Sequence, residues 1–424
     1  MSLLKKNIEY AKKYHLVLII LIGLAVRLIG WRFMDYTNFP EFYRDYIMTE
    51  KIAFGGQLVL LGPPSMLHHF HFGPIYYYIF TPLFALFGGH PFSLILTGAI
   101  VSVITIFYFY KLLLLWSGDS KLAAAGGWLL ALSLYAVHLT SYVSNPNFLP
   151  LFTLIALILL TRIIQDGAKL KNYFILGAIL AIAGQLHATA LLVLPLTFLL
   201  SLLLAKKLPN AKQWLALLAA GTITYLPYLF FELTHGFQNT LRLLSLGQNR
   251  LTGTHFFDQI TAVFGFFSGS LTPFNYYYSY TYLTPNSLYI AVIFLAAACL
   301  ISAIYQIIKY GVGGSTTTNI SPEGKKVLYS WSFACFFSLL IYNGPLQAHY
   351  LIILWPLPLM LLVFGIFWVN SKIKILKPLL LLLTVTSVLQ IYSFYRTEHT
   401  GWEQFYKTLH SDYQNRSGIE EIGS

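Results

Sequence analysis

The chain has 424 residues, of which 57% are apolar and 10% are charged, and its formal charge is +12. Soluble domains carry about 25% charged residues, so this composition excludes an ordinary soluble protein and indicates a polytopic membrane protein. Most Lys and Arg residues flank apolar segments, where they orient helices, and no patch typical of nucleic-acid binding is visible. Cys299 and Cys335 both lie inside apolar runs, which argues against a disulfide framework or a cysteine metal site.

The apolar segments predict eleven membrane spans, each of about 20 residues. Residues 16–34 follow a basic segment and precede no small-residue cleavage site, so we interpret them as a retained first helix. Residues 173–205 are too long for one span and are interrupted by Gly184, Gln185 and His187, which predicts two short helices that meet at a polar elbow. The remaining spans are predicted at residues 92–115, 121–143, 147–165, 212–232, 287–309, 327–343, 349–369 and 378–395.

The charge of the loops indicates whether residues 73–89 also cross. With eleven spans and a cytoplasmic amino terminus, every basic loop falls inside, whereas a twelfth span at 73–89 would place the later basic loops outside. This segment carries Pro74 and Pro82, and we predict that it lies in the outer interface. The alternative is a short twelfth span with reversed topology. The basic loops contain Lys5, Lys6, Lys12, Lys13, Lys111, Lys121, Arg162, Lys169, Lys171, Lys206, Lys207, Lys212, Lys309, Lys325, Lys326, Lys372, Lys374 and Lys377.

The predicted topology divides the chain into four parts. Residues 1–245 form a transmembrane module that includes a first outer loop at residues 35–91. An outer loop at residues 246–286, further transmembrane helices at residues 287–395 and an external tail at residues 396–424 follow.

Charged residues concentrate in "PEFYRDYIMTEKIAFGG", at the start of the first outer loop. The segment predicts a helix of three to four turns that ends at a Gly-Gly pair. Glu41 and Asp45 are then four residues apart on one face, where their repulsion can raise the pKa of one carboxyl toward that of a general base while Arg44 keeps the other ionised. The alternative is a solvated face at the membrane surface.

Further polar residues are predicted on the same outer side, beginning with "LGPPSMLHHFHFGPIYYY" at residues 61–78. Its histidines lack a nearby carboxylate at metal-site spacing, so phosphate contact or interfacial placement is preferred over zinc. We therefore expect no cofactor, with a divalent metal as an open alternative. The predicted substrate- and phosphate-binding residues are Arg44, His68, His71, Tyr77, Asn145, Asn147, His187, Glu232, His235, Arg242, His349 and Tyr350.

Together with these motifs, "NPNFLPLF", "GQLHATALLVLPL", "LPYLFFELTHGF" and "HYLIILWPLPL" resemble bacterial glycosyltransferases of family 39, in the GT-C fold class that includes protein O-mannosyltransferases and aminoarabinose transferases. The resemblance implies an all-α polytopic GT-C fold of about 11 transmembrane helices, with interfacial helices and the catalytic carboxylate in the first outer loop. It further implies a polyprenyl-phosphate-sugar donor and transfer at the outer face of the bacterial plasma membrane.

The family's first-loop motif begins with Asp, and Glu41 takes that position here, while Asp45 is a second acidic residue four positions on. Either could be the base, and we prefer Asp45 because its shorter side chain beside Arg44 is the more rigidly placed. Several GT-C enzymes carry a second acidic residue in a later outer loop. It is missing from "SYVSNPN" here, which weakens the case for a metal-dependent mechanism.

The sequence therefore predicts transfer of a hexosyl or pentosyl group from the lipid donor to a glycan, lipid or protein acceptor, among membrane lipids and without nucleic acid. The alternative is a transporter or flippase of a lipid-linked glycan, which should carry ionisable residues deep in several spans. The predicted spans are nearly free of charge. Arg27 is the exception, and we expect it to reach the outer interface, to pair with a first-loop acid or to contact phosphate.

Overall fold

The computed structural model describes residues 2–29, 40–65, 70–141, 143–167, 169–245, 301, 305, 320–342 and 348–397. In these ranges the regular structure is helical, and the antiparallel pairing of Pro64 with His71 is an isolated bridge. The α-helices are α1 (Ser2–Ile29), α2 (Pro40–Ala53), α3 (Ile75–Leu86), α4 (Phe92–Ser117), α5 (Ser120–Ala131), α6 (Leu134–Ser141), α7 (Leu149–Gln165), α8 (Leu170–Leu186), α9 (Ala188–Ala205), α10 (Ala211–Thr234), α11 (Gln238–Ser245), α12 (Pro322–Ile341), α13 (Pro356–Ile373) and α14 (Leu376–Thr397), with 3₁₀ segments at Asn145–Phe148 and Ala348–Leu354.

Four described helical segments are long and apolar enough to cross a bilayer, namely α4, α7 with its preceding 3₁₀ turn, α9 and α10. The pair α5 and α6 counts as a fifth if its bend lies within one span, and α1, α8, α13 and α14 contribute shorter apolar helices. The chain is therefore a multi-pass membrane protein. The predicted count of eleven is not tested, because the span at residues 287–309 lies almost entirely outside the described residues.

The stretch 173–205 divides at the predicted elbow. α8 ends at Leu186, α9 begins at Ala188, and His187 between them has extended backbone angles. The Nδ1 atom of His187 accepts a hydrogen bond from the Thr189 backbone N–H at 3.3 Å, which caps α9. α8 packs closely on α10, since a Cβ atom at Gly177 would lie 2.1 Å from the Leu217 carbonyl oxygen.

The predicted third span, residues 121–143, is bent by 54° between α5 and α6. Arg27 is buried at this break, where its Nη1 atom donates to the Ala131 carbonyl at 2.9 Å and its Nε atom to Ser102 at 2.6 Å. Arg27 therefore neither reaches the surface nor pairs with an acid among the described first-loop residues, contrary to two of the expectations, and the third, phosphate contact, is not tested. The helix break leaves backbone carbonyls that need donors inside the apolar bundle, and the guanidinium group supplies them.

The basic turns meet one another at one end of the bundle. The Nζ atom of Lys207, after α9, donates to the carbonyl of Ile164 in the last turn of α7. The backbone N–H of Ser321, before α12, donates to the carbonyl of Trp116 at the end of α4, at 2.7 Å. These contacts agree with the predicted grouping of basic loops on one side of the membrane. The other ends of α7, α8 and α10 lie at the opposite end of the bundle, where α8 meets α3.

Two apolar cores hold the bundle. The larger one joins α4–α9, α12 and α13, and the smaller one surrounds α3 with side chains of α2, α4, α6 and α8. The rings of Tyr76, Phe80 and Phe84 are buried in the smaller core and fix the rotation of α3. As a result, the face of α3 that meets α2 is defined by packing.

Candidate active site

α2 and α3 form a helix pair on the outer-loop side of the bundle. α2 spans 14 residues from Pro40, as predicted, and the following turn uses Gly56 with φ of 60°, a value that favours glycine. α3 has 12 residues and therefore a length of about 18 Å, shorter than the ~30 Å hydrocarbon core. This length agrees with a segment that does not cross. The Tyr46 and Phe84 rings, 5.1 Å apart, join the two helices.

At the contact between these helices, Asp45 lies between a cation and a phenol. Arg44 reaches the Oδ1 atom of Asp45 with both Nε, at 2.8 Å, and Nη2, at 2.7 Å. The hydroxyl of Tyr76, from α3, donates to Oδ2 at 2.7 Å. The side chain of Asp45 is 1% exposed and that of Arg44 is 29% exposed. The carboxylate is thus buried beneath a cation that solvent can reach.

The pKa of Asp45 is raised from 3.8 to about 6, chiefly by burial; Glu41 contributes to this rise, and Arg44 and Tyr76 oppose it. The carboxyl is therefore mainly ionised at neutral pH, with a pKa close enough to 7 for it to accept a proton in a reaction. Burial, followed by the charge of Asp45, raises the pKa of Tyr76 well above its ordinary value, so this phenol remains a donor.

Glu41 and Asp45 lie in different environments although they are one helical turn apart. Glu41 is exposed, whereas Asp45 is buried against α3. Arg44 pairs with Asp45, and its charge also acts on Tyr77, a predicted site residue. The first loop therefore joins Asp45, Arg44 and Tyr77 in one cluster, to which Tyr76 must be added. We refer to these four residues as the carboxylate cluster.

A second cluster surrounds the elbow before α9. The His187 ring stacks on Phe72 at 5.8 Å and lies 5.6 Å from the rings of both His349 and Tyr350. Burial, with the nearby His349, lowers the pKa of His187 to about 3, so its imidazole is neutral. His187, His349 and Tyr350 are thus brought together as an aromatic group, and His187 brings no positive charge to a phosphate at neutral pH.

Gln185 connects the elbow to α3. Its Oε1 atom accepts from the Ile75 backbone N–H at 3.3 Å, and its Nε2 atom donates to the Thr224 carbonyl in α10 at 3.0 Å. Asn145 donates to the Leu186 carbonyl at 2.6 Å, and Asn147 donates to the Leu139 carbonyl at 2.8 Å. These amide groups hold the helix ends against one another.

The first loop is also attached to α11. The Asn239 side chain accepts from the His71 backbone N–H at 2.6 Å and donates to the His71 carbonyl at 2.8 Å. The buried Glu232 carboxylate accepts from the Thr240 backbone N–H at 3.2 Å, in the first turn of α11. His71 and Glu232 therefore take part in the contact that joins the loop to α10 and α11.

His235 and Arg242 are the remaining predicted residues that the structure describes. His235 is exposed and stacks on Phe231 with a 4.0 Å centroid distance, and Arg242 is exposed on α11. His68 lies outside the described residues. Among the residues that are described, no group of three or more His, Cys, Asp or Glu side chains could hold a metal ion.

Sequence reasoning missed Tyr76 and the bridging role of Gln185. The three consecutive tyrosines at residues 76–78 were visible in the sequence, but successive helical residues point about 100° apart. Among the contacts described, Tyr76 is the one of the three that donates a hydrogen bond to Asp45, and which tyrosine does so depends on how α3 packs.

Solved structures with similar folds are GT-C glycosyltransferases of membranes. The chain matches ArnT from Cupriavidus metallidurans bound to undecaprenyl phosphate with a TM-score of 0.61 and 12% identity, over 90% of this chain and 76% of that one. It matches the oligosaccharyltransferase AglB from Archaeoglobus fulgidus, in complex with an inhibitory peptide and a dolichol-phosphate, with a TM-score of 0.55 and 15% identity, over 93% of this chain and 56% of that one. The fold is therefore the GT-C fold.

The sequence also matches a family model over part of its length. Residues 71–231 match the profile of the family described as dolichyl-phosphate-mannose-protein mannosyltransferase. The resemblance to glycosyltransferase family 39 is thereby confirmed. No curated protein matches the sequence significantly.

Proposed function

We propose that this chain is a membrane glycosyltransferase that moves a sugar from a polyprenyl-phosphate-linked donor to an acceptor at the extracytoplasmic face of the bacterial plasma membrane. The observation that carries the proposal is the buried Asp45 carboxylate, paired with Arg44 in the first loop of a GT-C fold. The family match and the lipid phosphates in the two similar structures support the donor class.

In the proposed reaction, the acceptor hydroxyl attacks the anomeric carbon of the donor sugar. Its proton passes to Asp45, the new glycosidic bond forms, and the bond between the anomeric carbon and the phosphate oxygen breaks. The polyprenyl phosphate leaves with the electron pair, and a cation stabilises the charge that develops on it. Arg44 fits this role, because its guanidinium group contacts Asp45 and is also exposed to solvent.

Glu41 is the competing base. It takes the family position in sequence, and its exposure leaves it accessible to an acceptor. Among the residues that the structure describes, Glu41 has no comparable set of hydrogen-bond partners, whereas Asp45 has a fixed carboxylate and a raised pKa. A hexosyl or pentosyl group and a glycan, lipid or protein acceptor remain the substrate classes proposed.

The alternative transporter function finds less support. Within the described residues, the buried charged side chains are Arg27, Asp45, Glu232 and Lys325. Arg27 donates to Ser102 and to backbone carbonyls, so the one charged residue predicted inside a span has a structural role. A path for a charged lipid head group needs polar groups along several spans.

The direct test is to incubate the purified protein in nanodiscs with a panel of polyprenyl-phosphate sugars and to measure the polyprenyl phosphate released. We expect release with at least one donor, faster when the correct acceptor is present. Movement of an intact donor across proteoliposomes, without cleavage of any donor, would support the transporter instead.

The proposed orientation has its own test in a cysteine-free background. Gln57 follows α2 and Lys121 lies in the first turn of α5, and both are exposed. Gln57→Cys should react with an impermeant maleimide added outside cells, and Lys121→Cys should react only after the membrane is opened. The reverse pattern would contradict the proposed face.

A further inference from the structure

The three consecutive tyrosines of α3 lie in different surroundings. Tyr76 donates to the Oδ2 atom of Asp45 at 2.7 Å, Tyr77 is acted on by the charges of Arg44 and Asp45, and Tyr78 donates to the Val59 carbonyl at 3.0 Å. Tyr76 is fully buried, and its ring lies 5.0 Å from Phe80. Its hydroxyl is therefore directed at the carboxylate by the smaller apolar core.

The two carboxylate oxygen atoms of Asp45 have different hydrogen-bond partners. Oδ2 is bound by Tyr76, a rigid ring from another helix that has no exposed surface. Oδ1 is bound by Arg44, a long, partly exposed side chain that an anionic ligand can attract away. Only Oδ1 can therefore be freed without disturbing the packing of α3.

We infer that Tyr76 is a positioning residue that holds Oδ2 of Asp45 and so reserves Oδ1 as the oxygen that accepts the acceptor's proton. This inference rests on the proposed function. It makes Tyr76 necessary for the rate of transfer and not for recognition of the lipid donor.

The titration of Asp45 should depend on this hydrogen bond. The groups that face the carboxyl are Glu41 and Arg44 from α2 and Tyr76 and Tyr77 from α3. Tyr76 lowers the pKa of Asp45, so its removal should move the acidic limb of kcat/KM to higher pH. A carboxylate that is held less firmly should also lower kcat by about tenfold to a hundredfold above that limb.

The test compares Tyr76→Phe with Tyr78→Phe. Both remove one hydroxyl from neighbouring positions of α3, but the Tyr78 hydroxyl binds only a backbone carbonyl among the contacts described. We expect Tyr76→Phe to lower kcat and to move the acidic limb of kcat/KM to higher pH, while the donor KM changes by less than about twofold. We expect Tyr78→Phe to leave kcat, the acidic limb and the donor KM unchanged. The same acidic limb and the same kcat in both variants would overturn the inference.

Two further measurements distinguish a failure of this inference from a failure of the proposed function. Difference infrared titration of the Asp45 carboxyl reports its pKa without turnover, and an unchanged value in Tyr76→Phe contradicts the inference even if that variant is poorly active. In an Asp45→Asn background, Tyr76→Phe should cause no further loss of rate. If Asp45→Asn itself leaves transfer intact, the proposed base is wrong. If it abolishes transfer while Tyr76→Phe behaves as Tyr78→Phe does, only the positioning role fails.

Discussion

Replacing Asp45 by Asn should separate catalysis from folding. Burial raises the pKa of Asp45 from 3.8 to about 6, so the folded protein holds this proton more tightly than the unfolded chain does. The protonated carboxyl of Asp45 therefore stabilises the folded protein fully below pH 3.8, and this stabilisation is lost as pH rises through about 6. The loss in the free energy of unfolding is ~3 kcal/mol in total, at about 1.4 kcal/mol for each pH unit between the two values. Asp45→Asn has no such proton to lose, and it should be at least as stable as the parent above pH 6.

The rate should fall nevertheless. A lost general base costs about 10²- to 10⁴-fold, or about 3 to 5 kcal/mol in the activation barrier. The assay is single-turnover release of polyprenyl phosphate at pH 7.5, with donor binding measured in parallel and thermal unfolding in the same detergent. We expect Asp45→Asn to bind the donor, to unfold no earlier than the parent and to turn over at least a hundredfold more slowly, a magnitude that rests on the loss of the base.

Glu41→Gln is the matched control, since it removes an exposed carboxylate one turn away. Glu41 raises the pKa of Asp45, so this variant should keep its rate within about threefold at pH 7.5 and move the acidic limb to lower pH. If Glu41→Gln loses at least a hundredfold in rate and Asp45→Asn keeps its rate within about threefold, Glu41 is the base. If both, alone and combined, retain turnover at every pH, the charges of α2 form only a solvated face and the reasoning is refuted.

Three other outcomes follow from the contacts. Arg44→Gln should raise the donor KM and shift the acidic limb of kcat/KM to higher pH, because the Arg44 charge lowers the pKa of Asp45; an unchanged KM would contradict its phosphate role. Arg27→Met should lower thermal stability by ~1–3 kcal/mol for each carbonyl left unpaired, with donor KM unchanged in the folded fraction; a raised KM would point to phosphate contact. Asn239→Leu should speed amide hydrogen exchange at His71, because it removes the acceptor of that N–H; equal protection would show that other contacts hold the loop.

The helices and the position of the site could largely be predicted from charge and apolar length. Basic turns mark one end of the helices, and the elbow at His187 divides α8 from α9 where the sequence predicts it. The bend between α5 and α6 was not predictable in this way, because the residues around the break carry no proline and are apolar apart from Ser133. Arg27 was misassigned for the same reason, since its acceptors exist only because of that break.

Within the site, the helical spacing of Glu41 and Asp45 could be predicted but their different burial could not. The packing of α2 on α3 decides which of the two faces the core, and it also selects Tyr76 among three adjacent tyrosines. Asn145 and Asn147 illustrate a further difficulty. An amide at a helix end reads as a possible ligand in the sequence, yet in the structure both amides donate to backbone carbonyls.

A structure of the protein with a polyprenyl-phosphate sugar bound tests the central claim most directly. The account predicts the phosphate at the end of the bundle that carries α2 and α3, in contact with Arg44, and the anomeric carbon on the side of Asp45 that presents Oδ1. A phosphate at the opposite end, beside Ile164 in the last turn of α7 and Lys207 after α9, would contradict it.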